Sequence, residues 1–199
     1  VIIGITGKAC AGKDRYARVF EEFGAEVIDV DHLGHAALEA NKERIIAHFG
    51  PSIEEGGVIN RKALGAIVFS NPSQLAALEA ISHPWMVEHI KEMIAQSEAE
   101  LIIVNAALLT RMGLDHLCSH VLYIWAPRWV RYRRCTKRDR LSYQQFIQRE
   151  KQQRDITYRN LSKATKNYRL WNWASAKTIY RQVQRCCVRI MFKRCNRTK

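Results

Sequence analysis

The chain has 199 residues, 47% of them hydrophobic, and carries 32 Lys+Arg against 19 Asp+Glu for a formal net charge of +13. That length and apolar content suit one ordinary domain with a real core. No apolar run reaches the roughly 18 residues of a helical membrane span, and the start VIIGIT is too short for a signal peptide and has no basic region before it, so a cytoplasmic location is expected.

Residues 1–6 predict a short buried strand. From Gly12 to Phe23, Tyr16, Val19, Phe20 and Phe23 recur at helical spacing, and Gly24 is placed to end that helix. AEVIDVD at 25–31 predicts a second buried strand, and residues 32–49 a helix stopped by Gly50-Pro51. EEGGVINRKAL at 54–64 holds a Gly-Gly turn and leads into a helix reaching Phe69. The segment 71–100 predicts two helices with a break at His83-Pro84. Strands three and four are expected at 101–109 and 120–127, then a long basic helical stretch over about 128–169, a last helix near 176–192, and a frayed tail MFKRCNRTK at 191–199. Continuous apolar strands alternating with helices imply an α/β fold with a parallel sheet covered on both faces. The helical block 37–95 is too long for a simple crossover and is expected to form an inserted, substrate-facing subdomain.

The sequence is most informative at GITGKACAGKDR, residues 4–15. Gly7, Gly12 and Lys13 satisfy the G-x-x-x-x-G-K spacing of a phosphate-binding loop, between a predicted strand and a predicted helix as that motif requires. Its glycines let backbone N–H groups turn inward on an anion, the helix N-terminus adds a favourable dipole, and Lys13 is the cation for the β- and γ-phosphates. The next position usually supplies a hydroxyl to magnesium. Here it is Asp14, a hard oxygen donor able to hold the metal directly or through water, at the cost of negative charge beside the phosphates, which Arg15 is placed to offset.

Asp29 and Asp31 stand two apart at the end of the second strand, where ligands gather in open α/β sheets. Phosphoryl transfer to an alcohol needs a base, and Asp31 is the candidate; the competing reading is an ordinary helix cap. The seven histidines show no metal-ligand spacing. The six cysteines, at 10, 118, 135, 186, 187 and 195, contain no C-x-x-C pair, so a zinc cluster is not expected and reduced thiols are.

In order along the chain, GITGKACAGK, VIDVDHLG, NRKALGAIVFSNP, ISHPWM, AALL and RCTKRD together resemble dephospho-coenzyme A kinases. The similarity is clear over about residues 2–150. It implies a three-layer P-loop NTPase fold with a parallel sheet, an inserted helical substrate-binding domain and a helical lid. The implied parts are a nucleotide-binding core at 1–34, 98–127 and about 165–192, a substrate domain at 35–97 and a lid at 128–164. The implied reaction is ATP- and Mg2+-dependent phosphorylation of the ribose 3′-hydroxyl of dephospho-coenzyme A. Lys13, Asp31 and Arg138 match the catalytic positions. Gly7, Cys10, Ala11, Gly12, Lys13, Asp14, Arg15 and Asn172 match nucleotide-binding positions, Asp14 being also the metal candidate. Asp31, Arg61, Lys62 and His83 match substrate-binding positions, and Arg134 and Asp139 fall in the lid with Arg138. The chain departs from the family pattern at Asp14 and Arg15, which replace hydroxyl residues, at Ala107 and Arg111, and in the late stretch KNYRLWNWAS. A related P-loop kinase with another acceptor, or a degenerate nucleotide- or nucleic-acid-binding protein, are the alternatives.

Charge is unevenly spread. Residues 1–127 hold 10 basic and 16 acidic residues, a net of −6, whereas 128–199 hold 22 and 3, a net of +19. Basic residues interleaved with aromatics are what single-strand nucleic-acid binders use, but a kinase lid is also arginine-rich. Nucleic acid is therefore possible but not the favoured partner. A monomer or small homo-oligomer is expected.

Overall fold

The computed structural model describes residues 1–173 and 175–195. Its elements are β1 (Ile2–Thr6), α1 (Lys13–Glu22), β2 (Glu26–Asp29), α2 (Val30–Ala40), α3 (Lys42–Phe49), β3 (Glu54–Glu55), β4 (Val58–Ile59), α4 (Arg61–Ser70), α5 (Pro72–Gln96), β5 (Ile102–Asn105), β6 (His120–Trp125), α6 (Arg128–Asp139), α7 (Tyr143–Gln152), β7 (Lys166–Trp171) and α8 (Ala176–Cys195). They fall into two compact units, Val1–Ile28 with the chain from Glu98 onward, and Asp29–Ser97.

The first unit is built on a five-stranded sheet of order β2-β5-β1-β6-β7. β1 runs parallel to β5, with Ile5 beside Asn105, and parallel to β6, with Thr6 beside Tyr123; β7 runs parallel to β6. Strand order reverses around β1, so the loop leaving its C-terminal end opens at the switch point where α/β sheets bind ligands. On one face, Ile3, Ile5, Leu122 and Ile124 pack against Tyr16 and Phe20 of α1 and Ile179 and Val183 of α8. Side chains of this size contribute about 1.5–3 kcal/mol each when fully buried. The Tyr16 hydroxyl donates to Gln182 Oε1 at 2.7 Å, joining α1 to α8. The other face is so close to its cover that a Cβ on Gly4 would lie 2.6 Å from Leu109.

The second unit has its own core of Ile45, Ile53, Ile59, Leu64 and Val68. Asn60 Oδ1 caps α4, accepting from Lys62 N and Ala63 N at 3.1 and 3.0 Å. Asn71 caps α5 ahead of Pro72, which occupies the first turn where a missing N–H costs nothing.

Five sequence expectations need correction. The stretch 128–169 is not helical throughout, because its last part is the edge strand β7. Only Tyr168 and Leu170 turn into the core, so this half-exposed strand lacks the continuous apolar run that marks β1, β5 and β6. The break at His83-Pro84 is absent: α5 runs through Pro84 from Pro72 to Gln96. The second strand ends at Asp29, and α2 begins at Val30, so Asp31 lies on a helix rather than a strand face. Cys10 and Cys135, expected as reduced thiols, form a disulfide with Cα atoms 5.8 Å apart, a pairing that a separation of 125 residues conceals; Cys118, Cys186 and Cys187 are free. The tail expected to fray is helical as far as Cys195, and residues 196–199 lie outside the described residues.

Candidate active site

The loop from Gly7 to Gly12 joins β1 to α1 and is held from three sides. At Gly7 a Cβ would stand 2.4 Å from the Ile124 carbonyl oxygen, so only glycine lets the loop lie against β6. At Gly12, φ is +94° and a Cβ would meet Asn172 Nδ2 at 2.0 Å. Asn172, 1% exposed, follows β7 and donates from Nδ2 to Ala11 O at 2.7 Å. Its own N–H donates to Trp125 O at 2.7 Å. Arg134 of α6 donates to Ala11 O at 3.1 Å and to Asn172 O at 2.9 Å. Ala9 N–H donates to Gln153 Oε1 at 2.7 Å. The loop carbonyls are thereby engaged from behind by Arg134 and Asn172. Burial and the neighbouring Arg15 lower the Arg134 pKa, and Arg15 itself lies exposed on α1.

Lys13 opens α1 and is 7% exposed, an unusual setting for a lysine side chain. Asp14 follows it. Its Oδ1 accepts from Asn105 Nδ2 at 3.3 Å, and its Oδ2 lies 3.6 Å from Arg138 Nη1. The cation facing Asp14 is therefore Arg138, from a helix more than 100 residues away in sequence. Arg138 also donates from Nε to Asp139 Oδ1 at 2.7 Å, and Arg149 donates to Asp139 Oδ2 at 2.9 Å. The Arg138 hydrogen bond, helped by Arg149, holds the Asp139 carboxyl below its ordinary pKa.

Asn105, the last residue of β5, was not among the sequence candidates. It is 1% exposed, and its Oδ1 has no hydrogen-bond partner. An unsatisfied buried acceptor costs about 1–3 kcal/mol. Its Nδ2 is the atom turned to Asp14, so the hard oxygen donor that fits a divalent cation or its water is the Asp14 carboxylate. The signal in the sequence was a polar residue closing an otherwise apolar strand, IIVN.

The remaining candidates lie in the second unit. Asp29 caps α2, its Oδ1 accepting from Asp31 N at 3.1 Å, and Asp31 sits exposed on the first turn. Arg61 of α4 bonds to the His35 ring, Lys62 is exposed beside it, and His83 lies half-buried on α5. Gly7, Cys10, Ala11, Gly12, Lys13, Asp14, Arg15, Arg138 and Asn172 thus belong to the first unit, and Asp31, Arg61, Lys62 and His83 to the second.

A glycine-bounded anion loop at the switch point of a parallel sheet of order β2-β5-β1-β6-β7, followed by a buried lysine, defines a P-loop kinase. The fold agrees with that of shikimate kinase from Acinetobacter baumannii, with a TM-score of 0.54 over 96% of this chain and 93% of that one at 16% identity. Within this class the chain belongs to the dephospho-CoA kinase family, whose model matches residues 1–169. A dephospho-CoA kinase from Thermus thermophilus is 36% identical over 153 residues, 77% of this chain and 75% of the relative. The solved structure of TT1252 from Thermus thermophilus is 31% identical, with a TM-score of 0.80 over 95% of this chain and 97% of that one.

Proposed function

We propose that the chain transfers the γ-phosphoryl group of ATP to the ribose 3′-hydroxyl of dephospho-coenzyme A, giving coenzyme A and ADP. The observation that carries this reading is the braced phosphate loop with Lys13 in a member of the dephospho-CoA kinase family. Phosphoryl transfer needs positioning and charge stabilisation more than covalent help from the protein. The loop amides and Lys13 hold the donor phosphates, and Arg138 adds positive charge as the transferring group leaves. Asp31 takes the proton of the attacking hydroxyl, while Arg61, Lys62 and His83 hold the acceptor. Residues 128–164 act as the lid and 35–97 as the acceptor domain. Mg2+ would be held by Asp14, steadied by the Asn105 amide, and would neutralise charge on the donor phosphates. The reaction is placed in the cytoplasm.

A coupled assay for ADP release, run with dephospho-coenzyme A and a panel of nucleoside and small-alcohol acceptors, tests the reading. ADP formation with dephospho-coenzyme A alone is expected. Equal turnover with another acceptor would move the chain to a related kinase, and ATP binding without turnover on any acceptor would make it a degenerate one. Asp31→Asn should lower turnover by about 10²–10⁴-fold, the usual worth of a general base. Near-normal turnover in that variant would remove Asp31 from its role.

A further inference from the structure

We propose that Cys10 and Cys135 form a reversible oxidation site that clamps the phosphate loop to α6 and slows turnover when oxidised by a low-molecular-weight disulfide. The site is built into the loop rather than placed beside it. Cys10 occupies the middle of the phosphate loop with φ of +59°, a left-handed conformation uncommon for a residue with a side chain. Its partner Cys135 is fully buried one turn before Arg138 on α6. With their Cα atoms 5.8 Å apart, the two stand at ordinary disulfide separation.

The two sulfurs lie in a small apolar pocket formed with Phe146 and flanked by Tyr132, Leu141 and Ile147. The crosslink therefore joins the loop to α6, with Phe146 of α7 packed against it. Arg134, one residue before Cys135, already bonds the carbonyl of Ala11. Arg138, three residues after it, faces Asp14. A covalent tie between these two contacts fixes the distance from the loop to the arginines that work beside it. If α6 belongs to a lid, oxidation holds that lid at one setting. This consequence for turnover rests on the kinase reading, whereas the thiol chemistry does not.

The exchange balances without any metal or cofactor. Cys10, 7% exposed against 0% for Cys135, is the sulfur a small disulfide reaches first. Its thiolate attacks one sulfur of the small disulfide, whose S–S bond breaks, and one small thiol leaves with a proton from solvent. The Cys135 thiolate then attacks the Cys10 sulfur of the mixed disulfide and expels the second small thiol. Two electrons pass from the protein thiols to the small disulfide, and two protons end on the released thiols. Asp139 Oδ2 lies 4.0 Å from Cys10 Sγ, within reach of the thiol in the reduced chain. The charge of that carboxylate is balanced by Arg138 and Arg149. Two competing sites, Cys118 and Cys186, are poor nucleophiles. Burial pushes the Cys118 thiol up to about 12 and the Cys186 thiol up to about 11, so both stay protonated and slow to exchange.

The test equilibrates the full chain with graded mixtures of reduced and oxidised glutathione, then denatures and alkylates it. Six alkyl groups are expected on the reduced chain and four on the oxidised one, from the six cysteines of the sequence, and the oxidised chain should yield a Cys10–Cys135 crosslinked peptide. Turnover in the ADP-release assay should be about tenfold lower when oxidised, as expected where a lid motion limits the rate, and should recover with dithiothreitol. Cys135→Ala should be active and indifferent to oxidation. Wild-type redox titration needs no variant and stands alone should Cys135→Ala fold poorly. Alkylation of both Cys10 and Cys135 at every glutathione ratio would overturn the proposal. So would a crosslink that forms without changing turnover in an active enzyme, or stoichiometric zinc on the purified reduced chain, which would make Cys10, Cys135 and Asp139 a metal site instead. A crosslink that forms in a chain with no turnover in either state supports the oxidation site and counts against the kinase reading alone.

Discussion

At the scale of single residues, Asp14 is where the chain departs most from an ordinary phosphate loop, and its surroundings explain how the departure is tolerated. The carboxylate faces Arg138 at 3.6 Å and accepts from Asn105 at 3.3 Å, so the charge it brings toward the phosphates is partly spoken for. The Arg138 contact is half-exposed, 59% and 47% for the two side chains, and exposed pairs of this kind are worth about 0–1 kcal/mol. Asp14→Ser should therefore fold normally and keep or raise turnover, since a hydroxyl can serve the metal without opposing the phosphates; a large loss of activity in steady-state kinetics would show that the carboxylate is the required ligand. Lys13 and the two loop glycines were legible in the sequence because their spacing carries a mechanism. Asn105 was not, because one polar residue at a strand end looks like any other turn. The engagement of Arg134 with the loop carbonyls was equally hidden: its partners, Ala11 and Asn172, lie far from it in sequence.

At the scale of elements, the most instructive pair is α6 and α7. Arg131 is 6% exposed on α6 and makes a bidentate pair with Glu150 of α7, while its Nε donates to Ala126 O at 3.2 Å. Removing one partner of a buried ion pair strands the other charge, at a cost of about 3–5 kcal/mol. Arg131→Met should lower the melting temperature accordingly, as read by calorimetry. The sign of the pH effect follows from the same contacts. Burial would raise the Glu150 carboxyl, but the Arg131 guanidinium, together with Lys8 and Arg128, holds it below the ordinary range. Asp155, bridged by Arg111 at 3.1 and 2.7 Å, is likewise depressed. A carboxyl with a lowered folded pKa binds fewer protons in the native state. Its stabilisation is present above the unfolded pKa, near 4, and is lost as pH falls through the folded value. The melting temperature should thus fall as pH drops from about 5 toward 3, less steeply in Arg131→Met. The reading of helices and apolar strands succeeded where periodicity was strong, as in α1. It failed at β7, where Lys166 and Arg169 interrupt the apolar signal, and at Pro84, whose missing N–H did not break α5.

At the scale of the whole molecule, the charge contrast between the first 127 residues and the rest asks for an anionic partner. Four of the arginines in the basic part are engaged within the first unit: Arg134 to the loop, Arg138 and Arg149 to Asp139, Arg131 to Glu150. Arg169 stacks over Trp125 and Trp171, its guanidinium 5.2 and 4.7 Å from the two ring centroids. Random single-stranded oligonucleotides should show no measurable binding at about 0.15 M salt, where nonspecific phosphate contacts are strongly weakened. Retained affinity, falling steeply as salt rises further, would return nucleic acid to consideration. The alternation of strands and helices was legible from the order of apolar runs along the sequence, because it depends on long stretches. The partition of basic residues between internal bracing and open surface was not, because it depends on pairings between distant helices.

The same basic residues have a second consequence at the rim of the sheet. β7 stands last in the strand order, paired to β6 along one side. Rim strands in general can template another molecule's strand, and here side chains already cover part of the rim: Asn167 O accepts from the Tyr158 hydroxyl and Trp171 O from that of Tyr16, both at 3.1 Å. Lys166 and Arg169 sit within its six residues, and two like-charged rims brought together would meet cation against cation. The interruptions that hid this strand from sequence reading are thus charges of the kind that disfavour one sheet extending into the next.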